Sequence, residues 1–232
     1  MRPSARHAHG IVVAFAGVAG RCTRRYERQA WAGGFARVAG VDEVGRGALF
    51  GPVVAAAVIL DPARRIPGLD DSKKLTALKR TRLAEKIRDR AVAWAVGEIL
   101  PERIDAWNIY QATRQAMTAA LRQLHPAPDY ILSDAVPLDV PIPCQPLIEG
   151  DARSVSIAAA SILAKVHRDA LLVEFDRQFP GYGLARHKGY ATRFHLEQLR
   201  RQGPTPLHRR SFAPVRACLT VLQAVEQNPL PF

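Results

Sequence analysis

Val38-Ala-Gly-Val-Asp-Glu-Val-Gly-Arg-Gly47, followed by the apolar run from Val53 to Leu60, is the stretch on which the fold depends. Two adjacent acids, Asp42 and Glu43, end a short apolar segment, where burial is costly unless they are paired or bound to a metal ion. The glycines that follow allow a sharp turn and close approach of a ligand, and the arginine between them suits phosphate. A surface turn with solvated acids is the alternative, but the compact combination favours a site.

Strands and helices alternate outward from this stretch. Residues 37–41 and 52–60 read as two strands, and the second is apolar throughout, as in a strand covered on both faces. Further strands are predicted over 91–100, 129–134 and 144–148. Helices are predicted over 76–90, 101–125, 153–175, 191–202 and 213–227. The alternation indicates a layered α/β or α+β domain.

Charge and composition narrow the function class. The chain of 232 residues carries 33 Lys and Arg against 21 Asp and Glu, a formal net charge of +12, which favours an anionic partner such as nucleic acid. Arg-rich composition can also reflect codon bias alone. No apolar run is long enough to span a bilayer. We therefore expect a protein without a membrane segment.

The cysteines and the known short motifs exclude several chemistries. Three widely spaced cysteines, Cys22, Cys144 and Cys218, make a zinc site or a disulfide framework unlikely and indicate a reducing, cytoplasmic compartment. The sequence has no P-loop, no H-E-x-x-H and no G-x-S-x-G pattern.

Residues 1–36 differ from the rest of the chain. They hold six Arg, one Glu and no Lys or Asp. The apolar run of residues 10–20 faintly resembles a targeting peptide, but arginines follow it where a cleavage site needs small residues. A disordered basic extension or a start codon assigned too early is the favoured interpretation. The remaining chain divides into a catalytic domain, 37–180, and a helical substrate-binding part, 181–232.

Two basic segments could contact phosphate. Lys73 and Lys74 lie in Asp70-Asp-Ser-Lys-Lys-Leu75, which is either a phosphate-gripping loop or a solvated helix start, since Thr76 is a good N-cap. Residues 181–212 interleave basic and aromatic residues, which suits either a surface that tracks and stacks on nucleic acid or a helical cap on the sheet.

Four acids, Asp42, Glu43, Asp134 and Asp151, each follow a strand or precede a helix. Strand ends of an α/β layer can gather at one edge of a sheet, although spacing alone does not establish that these do. Clustered carboxylates repel unless cations lie between them, and oxygen ligands suit Mg²⁺ or Mn²⁺. Since neighbouring strand residues face opposite ways, we expect the turn at Gly45 to redirect Glu43 toward Asp42.

The motifs together resemble bacterial ribonuclease HII. The matching pieces occur in family order from about residue 38 to residue 221: Gly40-Val-Asp-Glu-Val-Gly-Arg-Gly47, Asp71-Ser-Lys-Lys-Leu75, Gly150-Asp-Ala-Arg153, Ala158-Ala-Ala-Ser-Ile-Leu-Ala-Lys-Val166, His187-Lys-Gly-Tyr190 and His208-Arg-Arg-Ser-Phe212. The resemblance implies a ribonuclease H-like fold, with a central mixed sheet, flanking helices and a helical C-terminal part. It also implies cleavage of RNA within RNA–DNA hybrids and nicking 5′ to a single ribonucleotide in duplex DNA, with 3′-hydroxyl and 5′-phosphate products.

The resemblance also implies residue roles. Asp42, Glu43 and Asp134 match the family's metal ligands, for Mn²⁺ or Mg²⁺, and Asp151 matches its fourth catalytic acid. Gly45, Arg46 and Gly47 match the backbone element that reads the 2′-hydroxyl at the RNA–DNA junction. Tyr190 matches a tyrosine that stacks near that junction, while Lys73 and Lys74 become phosphate contacts. We expect a monomer whose partners are hybrid and ribonucleotide-containing duplexes.

One position departs from the family pattern. The family usually has Asp-Gly at the third acid, where this chain has Asp134-Ala135. The acid is retained, but the backbone just after it could depend on glycine.

Two other functions stay open. A basic, non-catalytic RNA- or ribosome-binding protein would explain the charge but not the acids at strand ends. The related ribonuclease HIII, which does not favour a single ribonucleotide, also carries a long additional N-terminal domain that these few dozen residues cannot supply.

Overall fold

A five-stranded mixed sheet forms the centre of the molecule. The structure, a computed structural model, describes residues 22–227. The strands are β1 (Val38–Val44), β2 (Val53–Leu60), β3 (Ala91–Ile99), β4 (Tyr130–Asp134) and β5 (Cys144–Leu147). They lie in the order β3-β2-β1-β4-β5. The first three pair antiparallel, whereas β4 runs parallel to both β1 and β5. The predicted mixed sheet is confirmed.

Eight helices surround the sheet in the described part of the chain. They are α1 (Arg25–Ala32), α2 (Ala77–Arg90), α3 (Pro101–Trp107), α4 (Ile109–Arg122), α5 (Val155–Gln178), α6 (Leu184–His187), α7 (Arg193–Gln202) and α8 (Ala213–Gln227). The helix predicted over 101–125 is divided in two by Asn108, whose φ of 70° is incompatible with a continuous helix and whose side chain caps α4. Thr76 caps α2 as predicted.

Alternate residues of β2 supply two separate cores. Val53, Ala55 and their alternates face α3 and α4, while Val54, Ala56 and their alternates face α2 and α5. All eight residues of β2 are buried, as the uninterrupted apolar run predicts. Each fully buried Val or Ile contributes about 1.5–3 kcal/mol, so this strand anchors both layers.

Helix α5 packs directly on β1 at Gly40. A Cβ at that position would lie 2.1 Å from the carbonyl carbon of Ser156, closer than real atoms approach. The glycine therefore permits the backbone of α5 to touch the strand that carries Asp42 and Glu43. Any side chain there would push the helix away from the site.

Residues 22–36 belong to the folded body, which differs from the expected extension over 1–36. Helix α1 places Glu27, which is 1% exposed, at the start of α5, where its Oε1 accepts hydrogen bonds from Ser154 Oγ (2.6 Å) and Ser156 N (2.9 Å). A carboxylate at a helix N-terminus satisfies free N–H groups and complements the helix dipole. The sequence prediction missed this because the partners are about 130 residues apart. Residues 1–21 lie outside the described part.

The C-terminal helices α6 to α8 pack on the segment between β1 and β2. Phe50 is buried among Leu172, Tyr182 and Leu184, and Leu49 is buried against Leu199 and Val215. This part of the chain therefore borders the Gly-Arg-Gly turn directly. None of the described helices is both long and apolar enough to cross a membrane.

Candidate active site

A cavity of about 270 Å³ opens where β1 extends beyond β4. The β1–β4 ladder ends at the pair Val41–Ser133, so the next two residues of β1 have no strand neighbour on that side. The cavity is lined by residues from five separate segments: Asp42, Glu43, Val44, Gly45, Arg46, Gly47, Ser72, Lys73, Asp134, Ser161, Lys165 and Tyr190. Eight of the ten predicted site residues, drawn from residues 42–190, therefore line one cavity.

Asp42 is buried, with 4% of its surface exposed, and interacts with Ser161 of α5. Burial raises the pKa of Asp42 well above its usual value, and the negative charges of Glu43 and Asp134 raise it further, while a hydrogen bond from Ser161 lowers it. Its Oδ1 accepts a hydrogen bond from Glu43 N at 2.7 Å. The ionised form therefore lacks sufficient compensation from the protein alone.

Glu43 remains in register within β1, paired with Ala55 of β2. The expectation that the turn at Gly45 redirects it was wrong: the open strand edge, rather than a change of backbone direction, lets both neighbours border the cavity. Arg46 Nη1 donates to Glu43 Oε1 at 3.2 Å, but Glu43 Oε2 is buried without a hydrogen-bond partner. Burial raises the pKa of Glu43, with Arg46 opposing the rise and Asp134 adding to it.

Asp134 and Asp151 complete the acidic cluster from β4 and the turn before α5. Asp134 Oδ1 accepts a hydrogen bond from Gly150 N at 2.7 Å, which ties the end of β4 to the turn carrying Asp151. Burial and then Asp134 raise the pKa of Asp151, while Lys73 lowers it. Lys73 Nζ lies 3.3 Å from Asp151 Oδ2. Burial alone would lower the pKa of Lys73, but Asp151 and Asp71 together raise it.

The donor set suits a hard divalent cation. Carboxylate oxygens are the ligands that such ions prefer, and a cation would compensate the buried Glu43 Oε2 and the repulsion among the acids. Among residues 22–227, no three His, Cys, Asp or Glu side chains are already arranged tightly enough to hold a metal ion. The acids therefore lie near one another without forming a complete coordination shell. The chemistry of their oxygen atoms, rather than their present distances, fits a divalent metal ion.

The turn between β1 and β2 is held by two buried arginines. Arg168 donates from Nε to Pro52 O (3.1 Å), from Nη2 to Phe50 O (3.0 Å) and from Nη1 to Lys188 O (2.9 Å). Arg209 donates from Nη1 to Arg46 O (2.8 Å) and from Nε to Gly51 O (3.0 Å). Both guanidinium groups are fully buried. They fix one carbonyl inside the Gly-Arg-Gly turn, that of Arg46, and those of residues 50–52 after it.

Gly45 is required at its position. Its φ is +91°, and a Cβ there would lie 2.2 Å from Arg168 Nε. At Gly47 a Cβ would meet only Tyr190 Cε1, at 3.9 Å, so protein packing does not demand glycine there. Glycine at Gly47 instead leaves space for a ligand between the turn and the Tyr190 ring. Tyr190 is 37% exposed, and its ring lies 5.8 Å from the Arg168 guanidinium.

The comparisons with known proteins agree with this arrangement. The family model described as Ribonuclease HII matches residues 39–215. A ribonuclease HII from Geobacillus thermodenitrificans is 56% identical over 197 residues, covering 85% of this chain and 76% of its own length. One from Syntrophomonas wolfei is 52% identical over 208 residues, covering 89% and 82%. The chain belongs to the ribonuclease HII family. It is therefore a ribonuclease H, an endonuclease that hydrolyses phosphodiester bonds.

Solved structures confirm the ribonuclease H-like fold of this ribonuclease HII family member. The crystal structure of ribonuclease H2 from Pyrococcus horikoshii OT3 has a TM-score of 0.69 and 26% identity, covering 81% of this chain and 99% of that one. The structure of Bst-RNase HIII in complex with Mn²⁺ has a TM-score of 0.56 and 23% identity, covering 81% and 70%, and shares the fold.

Two of the predicted site residues, Asp151 and Lys74, are not part of the cavity lining. Asp151 remains next to the cavity, with its Oδ2 at 3.3 Å from Lys73 Nζ. The Nζ of Lys74 lies 3.6 Å from Asp70 Oδ1, and the Lys74 side chain is 58% exposed. Adjacent residues of a short 3₁₀ turn point in different directions, so only Lys73 reaches the acids. The phosphate role predicted for Lys74 therefore has no geometric support within this cavity.

Sequence reasoning missed three residues of the ribonuclease HII site. Ser161 contacts Asp42, and its Oγ lies 2.9 Å from Ser72 Oγ. Arg168 and Arg209 were not singled out at all. The available signal for Arg168 was its spacing of four from Ala164 and Leu172, which places a charge on the buried stripe of α5.

Proposed function

We propose that this enzyme cleaves the RNA strand of RNA–DNA hybrids and nicks 5′ to a single ribonucleotide in duplex DNA, leaving 3′-hydroxyl and 5′-phosphate ends. The observation that carries the proposal is that three of the acids and the Gly-Arg-Gly turn line one cavity. Acids at one wall suit phosphodiester hydrolysis, and exposed backbone at the other suits recognition of a 2′-hydroxyl, the atom that distinguishes RNA from DNA.

We propose that Asp42, Glu43, Asp134 and Asp151 hold Mg²⁺ or Mn²⁺. When bound, such an ion activates the attacking water and stabilises the departing oxygen. The protein groups prepare the site for this: Arg46 fixes one oxygen of Glu43 and leaves the other free, Gly150 N fixes one oxygen of Asp134, and Lys73 balances Asp151. The Mn²⁺ complex of Bst-RNase HIII is consistent with a divalent ion in this fold.

We further propose that the backbone of Gly45, Arg46 and Gly47 contacts the ribose 2′-hydroxyl while Tyr190 stacks on the neighbouring sugar or base. Arg168 and Arg209 support this by holding the carbonyls of Phe50 and Arg46, so the turn needs no rearrangement when substrate binds. Lys73 is positioned to contact a phosphate beside the acids. The C-terminal part, 181–232, supplies Tyr190 and the packing beneath the turn.

We propose cytoplasmic action as a monomer. The three cysteines are free thiols rather than disulfides, which agrees with a reducing compartment.

Cleavage assays on three labelled duplexes test the proposal. We expect nicking of a duplex with one ribonucleotide and of a long RNA–DNA hybrid, in Mg²⁺ or Mn²⁺ but not with chelator, and no nicking of the matched all-DNA duplex. Efficient cleavage of the hybrid without nicking at a single ribonucleotide would instead indicate ribonuclease HIII-like specificity. Binding without metal-dependent cleavage of any duplex would favour the non-catalytic alternative.

A further inference from the structure

A second cavity, of about 1040 Å³, lies between α1, the loop after β2 and the start of α2. Its lining is strongly cationic, with residues contributed by three segments: Arg24, Arg25, Arg28, Arg65 and Lys79. Asp70, the acid in this lining, is already near Lys74, at 3.6 Å. We call this cavity the basic groove. A cleft lined by one sign of charge concentrates ions of the opposite sign.

The cations of the basic groove lack carboxylate partners. Among the described side chains, Arg25, Arg28, Arg65 and Lys79 form no ion pair within 4.0 Å, although Arg64 next to the groove does, with Asp89. Arg24 donates to the carbonyl of Pro62 at 2.8 Å. Like charges crowded together repel and so destabilise the folded state, and a bound anionic ligand would remove that repulsion.

The basic groove adjoins the acidic site. Thr23, in its lining, donates from its backbone N to Arg153 O at 3.2 Å and accepts from Val155 N at 3.3 Å. Asp151 lies only two residues before Arg153. On the other wall, Asp70 lines the groove and Ser72 lines the acidic cavity, a separation of at most roughly 7 Å along the chain. A strand leaving the acids can therefore enter the groove directly.

The cations are spread along two walls rather than converging on one point, which suits a polyanionic strand better than a compact anion. The chain's own residues 1–21 are unsuited as an occupant, since they contain three Arg and no Asp or Glu. We propose that the basic groove binds the phosphodiester backbone of the substrate duplex on one side of the scissile bond. This inference rests on the proposed function, because it extends the same substrate interface.

Binding of fluorescent duplexes in chelator, without turnover, tests the inference. The variant Arg25→Gln/Arg28→Gln removes two cations from one wall of the groove. The matched control is Arg103→Gln/Arg122→Gln. It removes two exposed arginines from α3 and α4, on the opposite face of the sheet. A second variant, Arg65→Gln/Lys79→Gln, removes the cations of the other wall, so the test does not depend on one variant folding. Each duplex contains one ribonucleotide. The double-stranded DNA arm is long on the 5′ side only, on the 3′ side only, or on both sides of that ribonucleotide.

We expect each groove variant to raise Kd on the order of tenfold at about 0.1 M salt, and to reduce the salt slope of log K by about one per lost contact. The loss should appear only when one particular arm is long. Affinity equal to that of the control pair, or a loss independent of arm length, would overturn the inference. Wild-type nicking is measured separately: its absence would refute the proposed function, whereas normal nicking with unaffected groove-variant binding would refute the groove alone.

Discussion

Asp42 illustrates the conflict between stability and function at the scale of one residue. Its carboxyl is buried beside two further acids, and burial with their charges raises its pKa. A raised carboxyl pKa means that the folded state binds more protons than the unfolded state. Without metal, this group therefore lowers stability as pH rises from the ordinary carboxyl range, near 4, through its folded pKa.

Replacing Asp42 with Asn should separate these effects. We expect Asp42→Asn to lower cleavage at least about 100-fold, to keep most substrate affinity, and to raise Tm in chelator at neutral pH by roughly 2–4 °C, the shift that about 1 kcal/mol produces in a domain of this size. Mn²⁺ should raise the Tm of wild type more than that of the variant. Near-normal turnover, or a lower Tm in chelator, would contradict the account of this carboxylate.

Ala135 carries backbone strain that the sequence comparison with the family suggested. Its φ is +51°, in the left-handed region, where an L-residue costs roughly 1–2 kcal/mol. The strain is local to the acid, since Ala135 N donates to Leu147 O at 2.9 Å and so fixes the start of the turn after Asp134. Its side chain is exposed and adds little packing.

Glycine at this position should relieve the strain. We expect Ala135→Gly to raise the free energy of unfolding by about 0.5–1 kcal/mol, because relief of the left-handed strain exceeds the added freedom of the unfolded chain. Denaturant unfolding measures the change, with Ala63→Gly as an exposed control at a position without positive φ. Destabilisation equal to that of the control would show that Ala135 is unstrained.

At the scale of elements, the turn between β1 and β2 is the least predictable part of the site. Its sequence indicates flexibility, yet two buried guanidinium groups hold it through four hydrogen bonds to its carbonyls. Burial lowers the pKa of Arg209 to about 9, and the nearby Arg168 charge adds to this effect. Two like charges buried side by side are costly, which favours a positioning role over a stabilising one.

Loss of one guanidinium should therefore change selectivity. We expect Arg209→Met to lower kcat/KM about tenfold on the single-ribonucleotide duplex and much less on a long hybrid, where many positions can be cleaved. Arg210→Met, at an exposed neighbouring arginine, should keep the ratio of the two activities near that of wild type. Equal losses of kcat/KM on both substrates would show that Arg209 only stabilises the fold.

The C-terminal part holds a buried pair of histidines, one in α7 and the other between α7 and α8. His195 Nε2 lies 3.2 Å from His208 Nε2, and both rings are buried. Burial lowers the pKa of His195 to about 4 and that of His208 to about 3. Both are neutral when folded but titrate near 6.5 when unfolded, so the stability they contribute is present above pH 6.5 and is lost as pH falls toward 4 and 3.

Local opening around α7 should thus increase in mild acid. Between about pH 6.5 and 4, each histidine can remove up to about 1.4 kcal/mol per pH unit. We expect hydrogen-exchange protection factors in α7 to fall between pH 7 and pH 5 more than those in α2, which serves as the internal control. Parallel changes in both helices would place the acid sensitivity elsewhere in the molecule.

At the scale of the whole molecule, hydrophobic periodicity and helix- or strand-ending residues predict the five strands and most of the helices, although α1 and the short α6 were not predicted. All five strands lie within a few residues of their predicted positions, because apolar runs ended by Pro, Gly or Asp determine them locally. Contacts between distant segments are harder to predict. Glu27 at the start of α5, Arg209 beneath Arg46, and Ser161 beside Asp42 each join parts of the chain more than 100 residues apart, and single-sequence patterns carry no such pairing.

Only part of the candidate site could be predicted from the residues alone. The acids Asp42 and Glu43 are recognisable from residue chemistry, since adjacent carboxylates at the end of an apolar segment need a ligand. Convergence with Asp134 and Asp151 came from family resemblance. Both neighbours in β1 border one cavity because the pairing of β1 with β4 stops at Val41 and Ser133, which is a property of the assembled sheet.

The position of the nick on a duplex with one ribonucleotide tests the account most directly. The end-labelled duplex is incubated with enzyme and Mg²⁺ or Mn²⁺, and the products are sized beside a ladder and treated with phosphatase to identify their ends. We expect a single nick 5′ to the ribonucleotide, leaving a 3′-hydroxyl and a 5′-phosphate. A nick on the 3′ side of the ribonucleotide, a 2′,3′-cyclic phosphate product, or equal cleavage in chelator would contradict it.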